Sequence, residues 1–231
     1  MKINVDWCTY RDGFDAVDGS ELLVLDPVPV LKYYQDNDGA QFKKCPAYIN
    51  YYKNIYVVCS PIDVEIEINR EENWANIITP PRLPKDVFNP RFGDEGTSPY
   101  PLFSLRLNRF LFTTETKDVY IETSDPTLDW NRNHDIRIIS GNFNISRWVR
   151  PVEPAFEHKS KHLTIKFERG QPMYYVRFVP SNPDDIVVLN KKEMNKELFN
   201  DAQRCLAVKE FKENSSLQFL YGLRDKFIRG K

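Results

Sequence analysis

The three histidines are the residues of this 231-residue chain whose spacing comes nearest to a metal-binding pattern, and they stand at positions 134, 158 and 162. His134 is followed by Asp135, and His158 is preceded by Glu157. Two imidazoles and one carboxylate on one wall of a β-barrel are the ligand set of the cupins and 2-oxoglutarate oxygenases. His134, Asp135, Glu157, His158 and His162 therefore predict, as one alternative, a metal-dependent enzyme with Fe or Mn as its cofactor.

The spacing of these residues argues against that site. Side chains alternate between the two faces of a strand, so His158 and His162 of one continuous strand would point the same way. That direction is opposite to the apolar positions that follow, and hence outward. The dipeptide His134-Asp135 also lacks the residue that separates histidine from carboxylate in the oxygenase motif. The preferred interpretation is exposed or hydrogen-bonded histidines, with no cofactor.

Aromatic residues beside arginines form the second group. The sequences Arg-Trp-Val-Arg at 147–150 and Tyr-Tyr-Val-Arg at 174–177 place stacking rings next to guanidinium groups. Single-strand binders use this combination, but the same residue types dominate protein interfaces. A net charge of −1 disfavours a nucleic-acid partner. We therefore expect a surface for a protein partner or for self-assembly, made by Arg147, Trp148, Arg150, Tyr174, Tyr175 and Arg177.

The four cysteines are widely spaced and form no Cys-x-x-Cys pair, which predicts free thiols in a reducing compartment. Cys8 is expected to be the most exposed, and Cys45, Cys59 and Cys205 are expected in the core. The first residues lack the apolar stretch of a signal peptide, and no run approaches the roughly 20 apolar residues of a membrane helix. These features predict a cytoplasmic protein that is neither secreted nor membrane-bound.

In most of the segments that must position these residues, apolar and polar residues alternate with a period of two. Between residues 62 and 68 the even positions are apolar and the odd ones acidic, which indicates a half-buried strand. Residues 162–168 alternate likewise, and after a turn at 169–172 the strand 173–179 is predicted to return as a hairpin. Further strands are expected at 21–25, 30–34, 48–58, 102–114, 117–123 and 135–150. Short strands separated by prolines predict a mainly β fold, a two-sheet antiparallel sandwich or jelly roll.

Two segments depart from this pattern. Residues 79–101 hold six of the sixteen prolines and predict a long loop inside a sandwich domain at 1–188. Residues 189–231 are predicted to be helical, with Asn190 and Glu193 as a capping box. That helical segment is expected to pack on its own sheet or on a neighbouring subunit.

Three short sequences resemble an uncharacterised β-rich family of bacteria and tailed phages, including marine cyanophages. They are Ser-Pro-Ile-Asp-Val-Glu at 60–65, Pro-Leu-Phe at 101–103 and Phe-Glu-Arg-Gly-Gln-Pro at 167–172. The resemblance covers about residues 45–180. It implies a phage-encoded virion or accessory protein, located in the host cytoplasm or the virion, and carries over no catalytic residues.

No catalytic constellation stands out, and aromatic residues make up 13% of the chain. Together with the proline-rich loop, these features predict a non-catalytic protein-binding or assembly module. A metal-dependent enzyme of the cupin or oxygenase kind is the first alternative. A β-sandwich that binds carbohydrate on exposed tryptophan and tyrosine is the second.

Overall fold

The computed structural model describes residues 1–10, 24–34, 44–69, 71–72, 74–79, 88–91, 102–107, 109–212 and 215–227. The strands in chain order are β1 (Lys2–Thr9), β2 (Val28–Pro29), β3 (Ile55–Cys59), β4 (Val64–Asn69), β5 (Trp74–Thr79), β6 (Phe88–Arg91), β7 (Leu102–Leu105), β8 (Phe110–Thr113), β9 (Tyr120–Ser124), β10 (Ile136–Ile138), β11 (Asn142–Asn144), β12 (Pro151–Val152), β13 (Ala155–His158), β14 (His162–Phe167), β15 (Pro172–Val179) and β16 (Ile186–Lys191). The helices are α1 (Val30–Tyr33), α2 (Pro46–Tyr52), α3 (Lys196–Phe211) and α4 (Leu217–Phe227). The predicted mainly β fold with a C-terminal helical segment is confirmed.

The described strands form four hydrogen-bonded sheets. Sheet I has the order β12-β8-β1-β16, sheet II β11-β9-β15-β3-β2, sheet III β14-β4-β5 and sheet IV β10-β13-β7-β6. Neighbouring strands in these sheets are antiparallel, except that β1 and β16 run parallel with Lys2 opposite Ile186. The layers of the sandwich-like body are therefore four sheet segments rather than two continuous sheets.

One hydrophobic core lies between the four sheets. Val5 of β1, Tyr56 of β3, Ile66 of β4 and Phe103 of β7 belong to it, one from each sheet. Each of these side chains comes from the apolar face of its strand, as the alternation predicts. Every sheet buries one face in this core. Whether a sheet can bind a ligand or partner therefore depends on what packs on its other face.

The predicted hairpin of residues 162–179 is wrong, although both strands exist. The chain crosses at 168–171 from sheet III, where β14 pairs with β4, to sheet II, where β15 pairs with β3 and β9. The link from β3 to β4 makes the same crossing beside it. The Gly170 N–H donates to the Ser60 carbonyl oxygen at 2.8 Å, and the Ser60 N–H donates to the Gln171 carbonyl oxygen at 2.9 Å. Gly170 has φ 86°, a conformation that favours glycine.

Helix replaces strand at two predicted positions. Residues 30–33 form α1 instead of a strand, and α1 covers the outer face of sheet II with Val30. Residues 48–52 lie in α2, which begins at Pro46, a residue whose fixed φ suits the first turn. Of the strand predicted at 21–25, residues 21–23 lie outside the described part, and 24–25 are in no strand.

The C-terminal helices pack on the outer face of sheet I. Cys8 and Leu111 of that sheet form a second apolar cluster with Ala202 of α3 and Tyr221 of α4. The helix begins later than predicted, because Asn195 is the N-cap and its side chain accepts from the Leu198 N–H at 2.8 Å. Strand β16 continues to residue 191 and so crosses the predicted domain boundary at 188.

The segment predicted as a long proline-rich loop contains a strand. Residues 88–91 form β6, which pairs antiparallel with β7 at the edge of sheet IV. Of the predicted loop 79–101, residue 79 ends β5, and residues 80–87 and 92–101 lie outside the described part of the chain.

Candidate functional site

The outer face of sheet III carries exposed side chains on all three strands. Alternation buries Val64 and Ile66 of β4 and directs Glu65 and Glu67 outward. The same rule leaves Trp74 and further side chains of β5 and β14 exposed. We call this surface the open face, made by Glu65, Glu67, Trp74, Asn76, Ile78, His162, Thr164 and Lys166.

The two edges of sheet III differ in charge. At the β14 edge, the Lys166 ammonium lies 3.0 Å from a carboxylate oxygen of Glu65, and Lys161 precedes the strand. Strand β5, with the sequence Trp-Ala-Asn-Ile-Ile-Thr, has neither a charge nor a proline. Charges and prolines are the usual protection of an edge strand against pairing with another chain. The β5 edge lacks both protections.

Apolar side chains add to the exposed character of β5. Trp74 is 36% exposed and Ile78 is 41% exposed. The Trp74 indole N–H donates to a carboxylate oxygen of Glu72 at 2.7 Å, which holds the ring at the start of the strand. A register shift opposite Glu65 marks a β-bulge near Ile78, so residues 74–77 are the regular part of β5.

A charged group lies beside the start of β5. The Lys161 ammonium donates to a Glu71 carboxylate oxygen at 2.8 Å, and the His162 ring lies 3.5 Å from the other oxygen. The hydrogen bond and the charge of Lys161 lower the pKa of Glu71. Glu71 is therefore a carboxylate at neutral pH, and it links the β14 edge to the turn that leads into β5.

The three aromatic residues predicted for an interaction surface are buried. Trp148, Tyr174 and Tyr175 are 1%, 0% and 2% exposed, so the expectation that they form a surface is wrong. Strand β15 is the middle strand of sheet II, so Tyr174 joins the main core and Tyr175 joins the cluster under α1. Trp148 packs below α4, with its ring centroid 6.0 Å from that of Tyr221.

The three predicted arginines lie apart from one another. Arg147 pairs with Asp225 of α4 at 2.7 Å. Arg150 lies over the Phe143 ring at 5.3 Å, and burial lowers the pKa of its guanidinium. Arg177 lies over the Tyr51 ring at 4.4 Å. Of these three arginines, Arg177 lines a surface cleft.

That cleft is a groove of about 630 Å³ on the outer face of sheet II. Its walls and floor come from α2, β9, β15, β11 and the turn before β11. We call it the Tyr51 groove, and the side chains that matter for its chemistry are Tyr51, Glu122, Ser124, Ser140, Asn142 and Arg177. It lies beyond the part of sheet II that α1 covers.

Four of the five predicted metal ligands border one cleft of about 240 Å³, but their arrangement is not that of a metal site. Glu157 forms an ion pair with Arg137, which neutralises the carboxylate. His158 is buried, and its Nδ1 lies 2.9 Å from the Ser160 carbonyl oxygen. Of these four predicted ligands, His134 and Asp135 are the exposed ones. Across the described residues, no group of three or more His, Cys, Asp or Glu is placed to hold a metal ion.

The prediction that His158 and His162 share one outward face is wrong. Residues 159–161 interrupt the strand, so that His158 ends β13 of sheet IV and His162 begins β14 of sheet III. His158 points to the core, where its ring lies 6.1 Å from that of Phe103. His162 remains on the open face.

The exposure of the cysteines also differs from the prediction. Cys8 is buried and Cys45 is exposed, because Cys8 faces the C-terminal helices and Cys45 stands at the start of α2. Burial raises the pKa of the Cys8 thiol to about 11. All four cysteines are free, as the sequence predicts.

Among the described residues, four exposed aromatic residues are not singled out at the sequence level: Tyr51, Trp74, Trp130 and Phe219. Trp130 is almost fully exposed in the loop between β9 and β10. Its polar neighbours, Asp129, Asn131 and Arg132, were an available signal of exposure. Tyr51 had no such signal while residues 48–58 were interpreted as strand.

No protein-family model matches the chain, and neither the curated proteins nor the solved structures contain a significant match. Within the described ranges, no helix combines the length and the apolar character needed to cross a membrane.

Proposed function

We propose that the protein is a non-catalytic assembly module that associates with a second copy of itself through β5. The observation that carries the proposal is an edge strand without charge or proline that exposes Trp74 and Ile78. Within the described residues no strand pairs with the outer side of β5, so the backbone N–H and C=O groups on that side are available to another strand. Its apolar side chains gain from burial when a second strand covers them.

The sequence of β5 is complementary to itself in an antiparallel pair. When Asn76 of one copy lies opposite Asn76 of the other, Trp74 lies opposite Ile78 at both ends of the contact. An aromatic residue opposite a β-branched residue is a favourable cross-strand pair, and a two-fold axis makes both pairs equivalent. Each copy brings its bulge to one end of the contact, beside its own Ile78, and residues 74–77 of both strands form the regular part between them.

The other edge of sheet III does not offer the same contact. An antiparallel pair of β14 centred on Thr164 would place His162 of one copy opposite Lys166 of the other. These basic groups repel each other when His162 is protonated, and Lys166 would leave its ion pair with Glu65. The charge pattern therefore favours β5 over β14 as the contact between copies.

Native mass spectrometry and sedimentation at micromolar concentration test this proposal. We expect a dimer of the full chain. Asn76→Lys places two ammonium groups next to each other on the two-fold axis, and we expect it to weaken the dimer at least about tenfold, or roughly 1.4 kcal/mol.

Thr164→Lys is the matched control, because it adds the same charge to the same open face at the other edge of the sheet. It is expected to leave the dimer unchanged. A wild-type chain that stays monomeric would contradict the proposal, and so would an Asn76→Lys variant that associates as tightly as the wild type. A virion or accessory setting for this assembly remains a prediction that rests on the resemblance.

A further inference from the structure

The floor of the Tyr51 groove is a row of polar side chains across three strands. Asn142 of β11 lies opposite Glu122 of β9, and Glu122 lies opposite Arg177 of β15. Residues that face each other across antiparallel strands project to the same side, so all three point into the groove. Ser124 follows two positions after Glu122 and lies on the same face. The groove therefore has carboxylate, guanidinium, amide and hydroxyl groups within one short row.

The charges of this row balance. Glu122 contributes one negative charge and Arg177 one positive charge. Within the described part of the chain, no carboxylate oxygen lies within 4 Å of the Arg177 guanidinium. The guanidinium instead contacts the Tyr51 ring. A phosphate would be attracted by Arg177 but repelled by Glu122. An ammonium group would be attracted by Glu122 but repelled by Arg177. A neutral ligand rich in hydroxyl groups can accept from Arg177 and donate to Glu122 without a charge penalty.

Tyr51 supplies the apolar surface that such a ligand needs. Its side chain is 59% exposed although it lies at the wall of the groove. The Arg177 guanidinium on the ring and the edge contact with Tyr52, at a centroid distance of 4.8 Å, fix the ring's orientation. The face of an aromatic ring carries partial negative charge and attracts the C–H groups of a sugar ring. A ring that is already oriented loses little conformational entropy on binding.

We propose that the Tyr51 groove binds a neutral saccharide. The ring face of Tyr51 that Arg177 does not cover stacks against one sugar ring, while Arg177, Glu122 and Asn142 hydrogen-bond the hydroxyl groups of the next sugar unit in the groove. The volume of about 630 Å³ lies within the range of small-molecule sites, roughly 300–1,000 Å³. The groove belongs to sheet II and the β5 edge to sheet III, so this site stands whether or not the chain dimerises.

A glycan microarray of neutral, sulfated and sialylated glycans, probed with the full chain, identifies the ligand class. The neutral glycan with the strongest signal is then titrated by isothermal calorimetry. We expect Tyr51→Ala to weaken its binding at least about tenfold through the loss of stacking. Asn142→Ala, in the floor of the groove, is expected to weaken it as well, and it leaves α2 untouched.

Ile49→Ala is the control, because Ile49 is exposed on α2 but does not line the groove. We expect it to bind as the wild type does. The proposal would be overturned if no glycan bound, if only sulfated or sialylated glycans bound, or if Tyr51→Ala and Asn142→Ala left the affinity unchanged. Circular dichroism of each variant separates a loss of binding from a loss of fold.

Discussion

Buried tyrosine hydroxyls and cysteine thiols have raised pKa values, and these make the stability of the fold depend on pH. Burial raises the pKa of the Tyr175 hydroxyl from 10.0 to about 12 and that of the Cys59 thiol from 9.0 to about 11. It raises the pKa of the Cys8 thiol equally, and it also raises that of the Tyr174 hydroxyl. In the unfolded chain these groups ionise at their ordinary values. At a pH between the pKa values of the unfolded chain and those of the folded chain, the folded state holds protons that the unfolded state has lost.

We therefore predict that these groups leave the free energy of unfolding unchanged between about pH 7 and pH 9 and lower it between about pH 9 and pH 12. The sign follows because the unfolded chain binds fewer protons in that window. Urea titrations at about pH 8, 9.5 and 10.5 measure it. Cys8→Ala should reduce the slope by the contribution of one proton. A stability that did not change from about pH 8 to pH 11 would refute the assignment of these groups to the core.

The burial of Trp148, Tyr174 and Tyr175 shows the limit of sequence reasoning at this scale. The adjacent arginines indicated rings that are hard to bury, yet the guanidinium groups of Arg147 and Arg177 turn to other rings, those of Tyr221 and Tyr51. Parity separates the two faces of a strand but does not say whether both are covered. At Tyr174 and Tyr175 of β15 both faces are covered, since the core covers one and α1 the other.

At the element scale, the observed N-cap of α3 is Asn195 and not the predicted Asn190. The Asn195 side chain accepts from the Leu198 N–H, whereas Asn190 lies in β16 with its side-chain amide near that of Asn4. We predict that Asn195→Ala lowers the free energy of unfolding by about 1 kcal/mol. Asn190→Ala, the change at the position predicted from the sequence, should cost less. Urea denaturation compares the two variants, and an equal or reversed order would contradict the observed cap.

Alternation predicted individual strands well because it depends only on which face is buried. Strands β4 and β14 follow the predicted pattern residue by residue. Where apolar residues run without alternation, as at Val30-Leu31, strand and helix cannot be distinguished by period. Pro29 before α1 and Pro46 in α2 are the local signals for helix starts, whereas the prolines at 27 and 29 are interpreted from the sequence as a break between strands.

At the scale of the whole molecule, Asn54 joins two sheets. Its side-chain amide donates to the Asp185 carbonyl oxygen at 2.9 Å and accepts from the Val187 N–H at 3.0 Å. Its own carbonyl oxygen accepts from the Phe178 N–H at 2.9 Å. Asn54 is buried, so it connects β16 of sheet I with β15 of sheet II away from water.

We predict that Asn54→Ala is strongly destabilising, because it leaves two backbone groups without partners at roughly 1–3 kcal/mol each. Tyr56→Phe is the matched comparison, since it removes one bond, from the Tyr56 hydroxyl to the Val187 carbonyl oxygen at 2.9 Å. Urea denaturation should show the larger loss for Asn54→Ala. A loss no greater than that of Tyr56→Phe would show that the sheets do not depend on this contact.

The sheet partners are the part of the fold that the sequence did not reveal. Residues 162–179 contain two strands separated by a turn with Gly170, the usual signature of a hairpin. The decisive contacts are instead the hydrogen bonds between Ser60 and residues 170–171, more than a hundred positions apart. The candidate sites depend on the same long-range assembly: the Tyr51 groove combines α2, β9, β11 and β15, so no local motif marks it.

The parallel pairing of β1 with β16 has a consequence for biosynthesis. Ile186, the neighbour of Lys2 in sheet I, is translated 184 positions after it. At about 5–20 residues per second, the first strand waits roughly 10–40 seconds for that partner. Its other neighbour, β8, also arrives late, with Thr113 opposite Asp6. During this interval Val5 and Trp7 of the nascent chain are a natural substrate for chaperones that hold apolar segments.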